Sequence, residues 1–457
     1  MHTPIAPGPS GWPLVGVLPA VARDTLGFFT ATSARYGGIA RFRGGRELCH
    51  LVTQPEAIGH IYQTDAERYC KGKFYQLLSA ALGEGLVTRN GEDWRRQRRL
   101  MSPAFQKKRA DAWLDIIEGQ TDVLMAAWET KIAGGQPVEL AGDMLNLIQA
   151  TTVRILFGRE VDYAVTSTMA DTVQDINTHL MRQILQQPLL GGLLNRLPTP
   201  ANRRFQSAVA CVKDTVSSRV DRAARQSATE DPGAVLNVLR SARDPQTGRG
   251  MRSDELRDEL INLFLAGHET TAQALAWTFY FLATHPDCAG RARAESVQNL
   301  SGAAGTAEQY GRLVYLRRAI DESLRLMPPI FMVSRTPVAD EPLGGFVMPE
   351  GSLVVVSPYV MHRHPMYWDA PDRFDPDRFA PERAVARPRY AYFPFGGGPR
   401  LCLGAHLALS EMVVVVARVL QKFHLALAPD GRVVPEAALI LRPKHGIRVH
   451  VRRVQRP

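Results

Sequence analysis

The segment FPFGGGPRLCLGAH, residues 393 to 406, sets one cysteine between a glycine-rich run and the start of an apolar helix. A helix N-terminus presents unpaired N–H groups and partial positive charge. Both stabilise a thiolate and are expected to lower the pKa of Cys402. A thiolate is a soft, strong metal ligand, and haem iron is one metal bound by a lone cysteine. The glycines let the backbone turn sharply and approach a flat macrocycle closely. Gly404 removes a side chain where the new helix would press on such a ring, and Arg400 can pair with an anionic substituent on it. Two plainer readings stand beside this one. A lone cysteine without context is usually a small buried apolar residue. A phosphate loop is also rich in glycine, but GGGPR lacks the Gly-Lys-Ser/Thr ending.

A second polar constellation is AGHETT, residues 266 to 271, inside an apolar helical stretch. Polar groups there are costly unless satisfied or used. HETTA begins like a zinc-binding H-E-x-x-H, but position 272 is Ala and supplies no second histidine. Threonine hydroxyls bonding back to the preceding turn are the alternative use. ESLR places Glu322 and Arg325 at i and i+3 on one helix face, a spacing that EDWR, Glu92 to Arg95, shares. A surface pair of this kind contributes about 0.3 kcal/mol. The densest basic cluster is WRRQRR, residues 94 to 99, either a solvated face or a dock for an acidic protein.

These groups need a scaffold. The 457 residues can bury a large core, and no linker, repeat or low-complexity segment divides them, so one domain over residues 1–457 is expected. The five cysteines, Cys49, Cys70, Cys211, Cys288 and Cys402, are odd in number and form no C-x-x-C pair. That argues against a disulfide framework or structural zinc and fits a reducing cytoplasm. The start, MHTPIAPGPSGWPLVG, lacks the basic and apolar regions of a secretory signal. No apolar run reaches about 18 residues, so no membrane span is expected. The net charge of +10 admits nucleic acid, anionic lipid or an acidic protein as partner, but no nucleic-acid-binding signature accompanies it.

Helices are expected at 24–36 and 55–63, with a β-hairpin between them around Gly44-Gly45. From about 92 to 285 the pattern is almost wholly helical, broken at 188–200 and 242–250. The last helix of that run, N-capped by Ser253 with Asp254 and Glu255 in its first turn, reaches the residues before Pro286. Its length of roughly 46 Å would cross a whole domain. YLRRAIDESLRL is a second strong helix, stopped by Pro328-Pro329. LVVVS (353 to 357) and GIRVHV (446 to 451) read as strands, and a final long helix begins just after Cys402. The fold class is mainly α with a small β portion, β-rich near 38–54, 330–360 and 424–453, with its helical bulk at 55–330 and 403–421.

FPFGGGPRLCLG resembles the haem-binding signature of the cytochrome P450 monooxygenases: Phe395, Gly398, Arg400, Cys402 and Gly404 occupy all five of its fixed positions. The resemblance implies the P450 fold, with haem b between a long central helix and the cysteine-ligand helix. It makes Cys402 the axial iron ligand, with Phe395 packed beside the sulfur. AGHETT is similar to the family's central-helix motif at Ala266, Gly267, Glu269, Thr270 and Thr271. There the helix opens beside the haem to admit dioxygen, and Glu269 and Thr270 would manage proton delivery. ESLR followed by FDPDRF is similar to the family's Glu-x-x-Arg helix and later arginine segment, implying a buried network of Glu322, Arg325 and Arg378 that braces the cysteine loop. NGEDW aligns with a family D-G-x-x-W, with Asn90 in place of Asp; Trp94, Arg98 and Arg335 would hold the haem propionates. The implied substrate pocket includes Leu263, Ala266, Ile330, Phe331, Met332 and Leu439, under a lid at 178–197 that reads equally well as a packed helical hairpin.

The resemblance covers nearly the whole chain. Arg400, where many soluble bacterial members carry His, together with MSPAF and FDPDRF, looks like the branch of fatty-acid hydroxylases and microsomal enzymes. The implied activity is hydroxylation or epoxidation of an apolar small molecule — terpenoid, polyketide or fatty acid — by a soluble, cytoplasmic bacterial enzyme. No flavin domain follows residue 457, so electrons are expected from a ferredoxin or flavodoxin-type donor with its reductase, docked near Arg95, Arg96 and Arg99. A peroxygenase or peroxide isomerase on the same scaffold, and a non-enzymatic haem sensor or carrier, are the competing functions.

Overall fold

Alternating apolar and basic residues build the first hairpin. Strands β1 (Ile39–Gly44) and β2 (Glu47–Val52) pair antiparallel with Gly44 opposite Glu47. The two-residue turn is Gly45-Arg46, and Gly45 takes a φ of 60°, as a tight hairpin of this hand requires. The computed structural model describes residues 4–158, 172, 173, 175–184, 197–225, 233–300, 302, 304–429 and 431–454. Residues 185–196, most of the expected lid, lie outside them.

The chain continues through β3 (Tyr69–Cys70), α1 (Lys73–Leu82), α2 (Gly91–Met101), α3 (Leu114–Ala133), β4 (Val138–Glu139) and α4 (Leu140–Phe157). Then come α5 (Pro200–Arg225), α6 (Ser253–Thr284), α7 (Val314–Leu326), β5 (Val333–Pro337), β6 (Leu353–Val356), α8 (Ala405–Lys422), β7 (Phe423–Leu427) and β8 (Arg448–Arg453). One sheet has the order β1-β2-β6-β5-β3, with β2 and β6 parallel and the other pairs antiparallel. A smaller sheet has the order β4-β8-β7. β3 and β4 fall inside the stretch expected to be helical. Each has two residues, too few to show an alternating pattern, and each exists only through a partner far along the chain.

The central helix α6 runs for 32 residues. Ser253 is its first residue rather than its cap; the Glu255 carboxylate reaches back and accepts from the Arg252 amide at 2.9 Å. Leu260, Ile261, Phe264, Leu275, Trp277 and Phe279 are fully buried on it. It packs lengthwise on α4 and also against α5, α7 and α8. Met412 and Val413 to Val416 of α8 enter the same core as Trp277 and Phe279. At about 2 kcal/mol per fully buried large apolar side chain, this core holds α6 and α8 in fixed relation. The site lies between them.

Candidate active site

Cys402 stands just ahead of α8, whose N-cap is Gly404. Its amide donates to the Phe395 carbonyl at 2.9 Å and closes the glycine loop. Gly398 has a φ of 61°, and a Cβ there would lie 1.8 Å from the Tyr62 carbonyl oxygen, so no side chain fits. Gly404 differs. Its φ of −86° suits any residue, and a Cβ would meet no protein atom within 4 Å. Cys402 is accessible, yet it opens onto an internal hollow rather than bulk water. Burial pushes its thiol up, while an N–H bond from Gly404 and the charge of Arg98 favour the thiolate. The helix start alone therefore does not lower the thiol pKa as the sequence led one to expect. A coordinated metal cation deprotonates such a thiol outright.

The facing wall is α6. Leu263, Ala266, Gly267 and Thr270 share one helix face, and Ala266 is exposed midway along this otherwise buried helix. Leu263, Leu403, Leu407 and Leu439 pack against one apolar cluster, so this face of α6 and the residues flanking Cys402 adjoin the same core. The helix is continuous here rather than opened. The Thr270 hydroxyl donates to the Ala266 carbonyl at 3.0 Å, and Thr271 to Gly267 at 3.2 Å, so both hydroxyls are satisfied by the preceding turn. Glu269 is buried, accepts a hydrogen bond from the side-chain amide of Asn177, and has its pKa pushed up to about 7 by burial.

Four cations converge beside this hollow. Arg98 comes from α2, Arg335 from β5, Arg400 from the cysteine loop, and Lys71 from the residue after β3. Lys71 Nζ and the Arg400 guanidinium lie 5.9 and 5.6 Å from the centre of the Trp94 ring. Burial, then the charges of Arg335 and Arg400, push Lys71 down to about 6; burial and Arg335 push Arg400 down to about 10. Arg98, Arg335 and Arg400 have no carboxylate partner among the described residues, and Arg335 Nε and one terminal nitrogen of Arg400 are buried without an acceptor. Buried like charges held together call for an anion. Nothing local in the sequence KGK marks Lys71 as buried. Asn90, where the family motif has Asp, accepts from the Lys71 amide at 2.8 Å.

Behind the cysteine loop, Glu322 and Arg325 are fully buried and paired at 2.6 Å, and Arg378 lies 3.4 Å from the same carboxylate. Arg325 also donates to the carbonyls of His362, Pro371 and Arg373, and Glu322 accepts from the Asp375 amide. His362 Nε2 accepts from the Phe393 amide at 2.9 Å, which carries the network into the loop that bears Cys402. The surface reading of ESLR is thus excluded. Phe395 is half-buried against the main core. Of the expected pocket residues, Ile330 is exposed, Phe331 packs with Leu26 and Leu441, and Met332 leans on that cluster and on Phe29. A separate cavity of about 510 Å³ lies between α1, the helical residues 175–184 and α5, lined by Gln76, His179, Gln183 and Phe205 among others. None of the expected pocket residues lines it.

A thiolate donor, an open face at Gly404 and a knot of cations without carboxylate partners among the described residues fit one flat, dianionic, metal-centred group. Fold and site together define a haem-thiolate protein. The cytochrome P450 family model matches residues 6–451. The chain is 33% identical over 440 residues to cyclooctatin synthase of Streptomyces melanosporofaciens, covering 96% of this chain and 93% of that one. It is 32% identical to the same organism's cyclooctat-9-en-7-ol 5-monooxygenase, covering 92% and 89%. Pentalenene oxygenase of Streptomyces avermitilis is 31% identical, covering 97% and 96%. The heme domain of cytochrome P450DA superposes with a TM-score of 0.88 at 26% identity, over 98% of both chains. The chain belongs to the cytochrome P450 family. It is a monooxygenase whose cofactor is haem held by a cysteine thiolate, and it acts on an apolar substrate with O2.

Proposed function

We propose that this enzyme hydroxylates or epoxidises a terpenoid. The observation that carries the reading is the apolar setting shared by Cys402 and the Ala266 face, where Leu263, Leu403, Leu407 and Leu439 pack against one cluster. The residues named there are all apolar, as a hydrocarbon skeleton requires, and the four cations stand apart on the side that would hold the cofactor. The names of the three Streptomyces relatives narrow the apolar class to terpenoids. Haem, when bound, supplies oxygen activation and the transfer of one oxygen atom. Cys402 would ligate it, Lys71, Trp94, Arg98, Arg335 and Arg400 would hold its propionates, and Leu263, Ala266, Ile330 and Leu439 would border the substrate. Glu269 would hold a proton at its carboxyl, and the Thr270 hydroxyl, with lone pairs still open, would align a water with it.

Electrons would come from a ferredoxin or flavodoxin-type protein. Arg95, Arg96 and Arg99 do not offer free charge for it: they pair with Glu67 and Glu92, with Glu255, and with Asp244. Lys107, Lys108 and Arg109 are exposed on a short helix, Lys107–Asp111, that packs against α8, and they are the better dock. Residence in the cytoplasm is consistent with five free cysteines; among the described residues no helix is long and apolar enough to cross a membrane. The test is a binding screen of cyclic terpenes, terpene alcohols, fatty acids and polyketides, read by the haem spin-state shift and followed by product analysis. Turnover of fatty acids or polyketides with no terpenoid accepted would overturn the terpenoid reading.

A further inference from the structure

The loop between α1 and α2 is latched to the central helix by three side chains. The Glu84 amide donates to Asp258 at 2.8 Å, the Leu86 amide to Glu259 at 3.0 Å and the Val87 amide to Asn262 at 3.1 Å. The Asn262 side-chain amide donates back to the Leu82 carbonyl at 2.7 Å. The approach is close: a Cβ on Gly85 would lie 2.3 Å from the Asn262 side-chain nitrogen. Glu259 differs from the other two. It is fully buried, and its second carboxylate oxygen has no partner among the described residues. A latch needs only a neutral acceptor, which a glutamine would supply. A buried carboxylate is costly unless its charge is used.

The use lies on the other side of Leu86. The Leu86 carbonyl accepts from Lys71 Nζ at 2.5 Å, so the two backbone groups of one residue bridge Glu259 and Lys71. Lys71 is itself buried among the cations beside the site. Arg335, Arg400 and Arg98 all repel its charge, whereas Glu259 favours it. The benefit is mutual: burial pushes Glu259 up to about 8 against the pull of the Leu86 amide, Lys71 and Arg89, with Asp258 adding to the upward push. Each charge favours the other, so the two ionise together, and an anion set beside Lys71 favours both. We propose that Glu259 is a positioning residue for the cofactor: through Leu86 it holds Lys71 as the ammonium that meets the haem propionates. This role presupposes that Lys71 binds a propionate and does not depend on which substrate is oxidised. A latch without that role would act independently of Lys71, and a double-mutant cycle separates the two.

The test is transfer of haem from the full haem-loaded chain to excess apomyoglobin, followed by absorbance. Glu259→Gln keeps the shape and the acceptor for Leu86 but removes the charge. It should lose haem about tenfold faster than wild type, the scale of weakening one charge-assisted hydrogen bond. Lys71→Met should lose haem about as fast, and adding Glu259→Gln to it should bring no further acceleration. Asp258→Asn, which alters a carboxylate on the same loop, should leave the rate unchanged. A wild-type rate in Glu259→Gln overturns the proposal. So does an acceleration by Glu259→Gln that persists undiminished beside Lys71→Met, which would make Glu259 a latch only. A wild-type rate in Lys71→Met overturns it together with the propionate-binding role of Lys71.

Discussion

Glu269 and Thr270 sit next to each other, yet their environments differ. Thr270 faces the hollow and already donates to Ala266, so it can accept but is not a free donor. Glu269 is buried, and burial pushes its pKa up to about 7 from the usual 4.5. A raised carboxyl pKa favours the proton-bearing form, which is present below about 7 and lost as pH rises through it. Coupling of NADPH consumption to product should therefore fall as pH rises past neutrality. Glu269→Gln should flatten that profile, and a wild-type profile unchanged from acid to alkaline pH would remove Glu269 from proton delivery. Thr270→Ala keeps helix propensity, so fold and haem content should hold. It should keep consuming NADPH and O2 while product falls and hydrogen peroxide rises about tenfold or more, the scale of losing one positioned proton-transfer group. Measuring all four quantities on one substrate checks this; unchanged coupling would leave Thr270 an ordinary helix residue.

At the scale of elements, the legible parts were those written locally. The 3.6-residue pattern, its stops at Pro286 and Pro328, and the glycine loop before α8 announced α6, α7 and the cysteine junction. The unread parts depend on contacts between distant residues. β3 pairs with β5 and β4 with β8; Lys71 is buried by α2 and the cysteine loop; His362 links α7 to Phe393 only in the folded chain. The pair Glu322–Arg325 shows the same limit: its spacing matches that of exposed Glu92–Arg95, and only burial separates them. That difference has a measurable size. Glu322→Gln leaves Arg325 charged and uncompensated in the core, a loss of about 3–5 kcal/mol. Glu92→Gln should cost under about 1 kcal/mol. Thermal unfolding of the two variants should separate them clearly, and only Glu322→Gln should lower haem content; equal midpoints would refute a bracing role for the buried pair.

Across the whole molecule, the charge of +10 is unevenly available. The arginines nearest the haem-side cations on α2 are bound to carboxylates of other elements: Arg96 to Glu255 at 3.1 Å on α6, and Arg99 to Asp244 at 2.8 Å. Asp244 is held down at about 2, chiefly by the Arg99 hydrogen bond, so that pair stays charged across the working range. Such residues tie α2 to the body of the protein. Among the described residues the exposed group at Lys107, Lys108 and Arg109 has no comparable ion pair, and its helix lies against the helix that follows Cys402. An acidic donor steered there would have a short route to the thiolate side of the site. Lys108→Glu with Arg109→Glu should slow reduction by a ferredoxin several-fold at low salt, with substrate affinity unchanged, and the gap should close as salt screens both proteins. Arg96→Glu should act differently, lowering the unfolding midpoint because it sets a second carboxylate against buried Glu255. Stopped-flow reduction and thermal unfolding on both variants distinguish dock from strut. Reduction that slows in Arg96→Glu at unchanged stability, with Lys108→Glu/Arg109→Glu reduced at the wild-type rate, would move the dock back to α2.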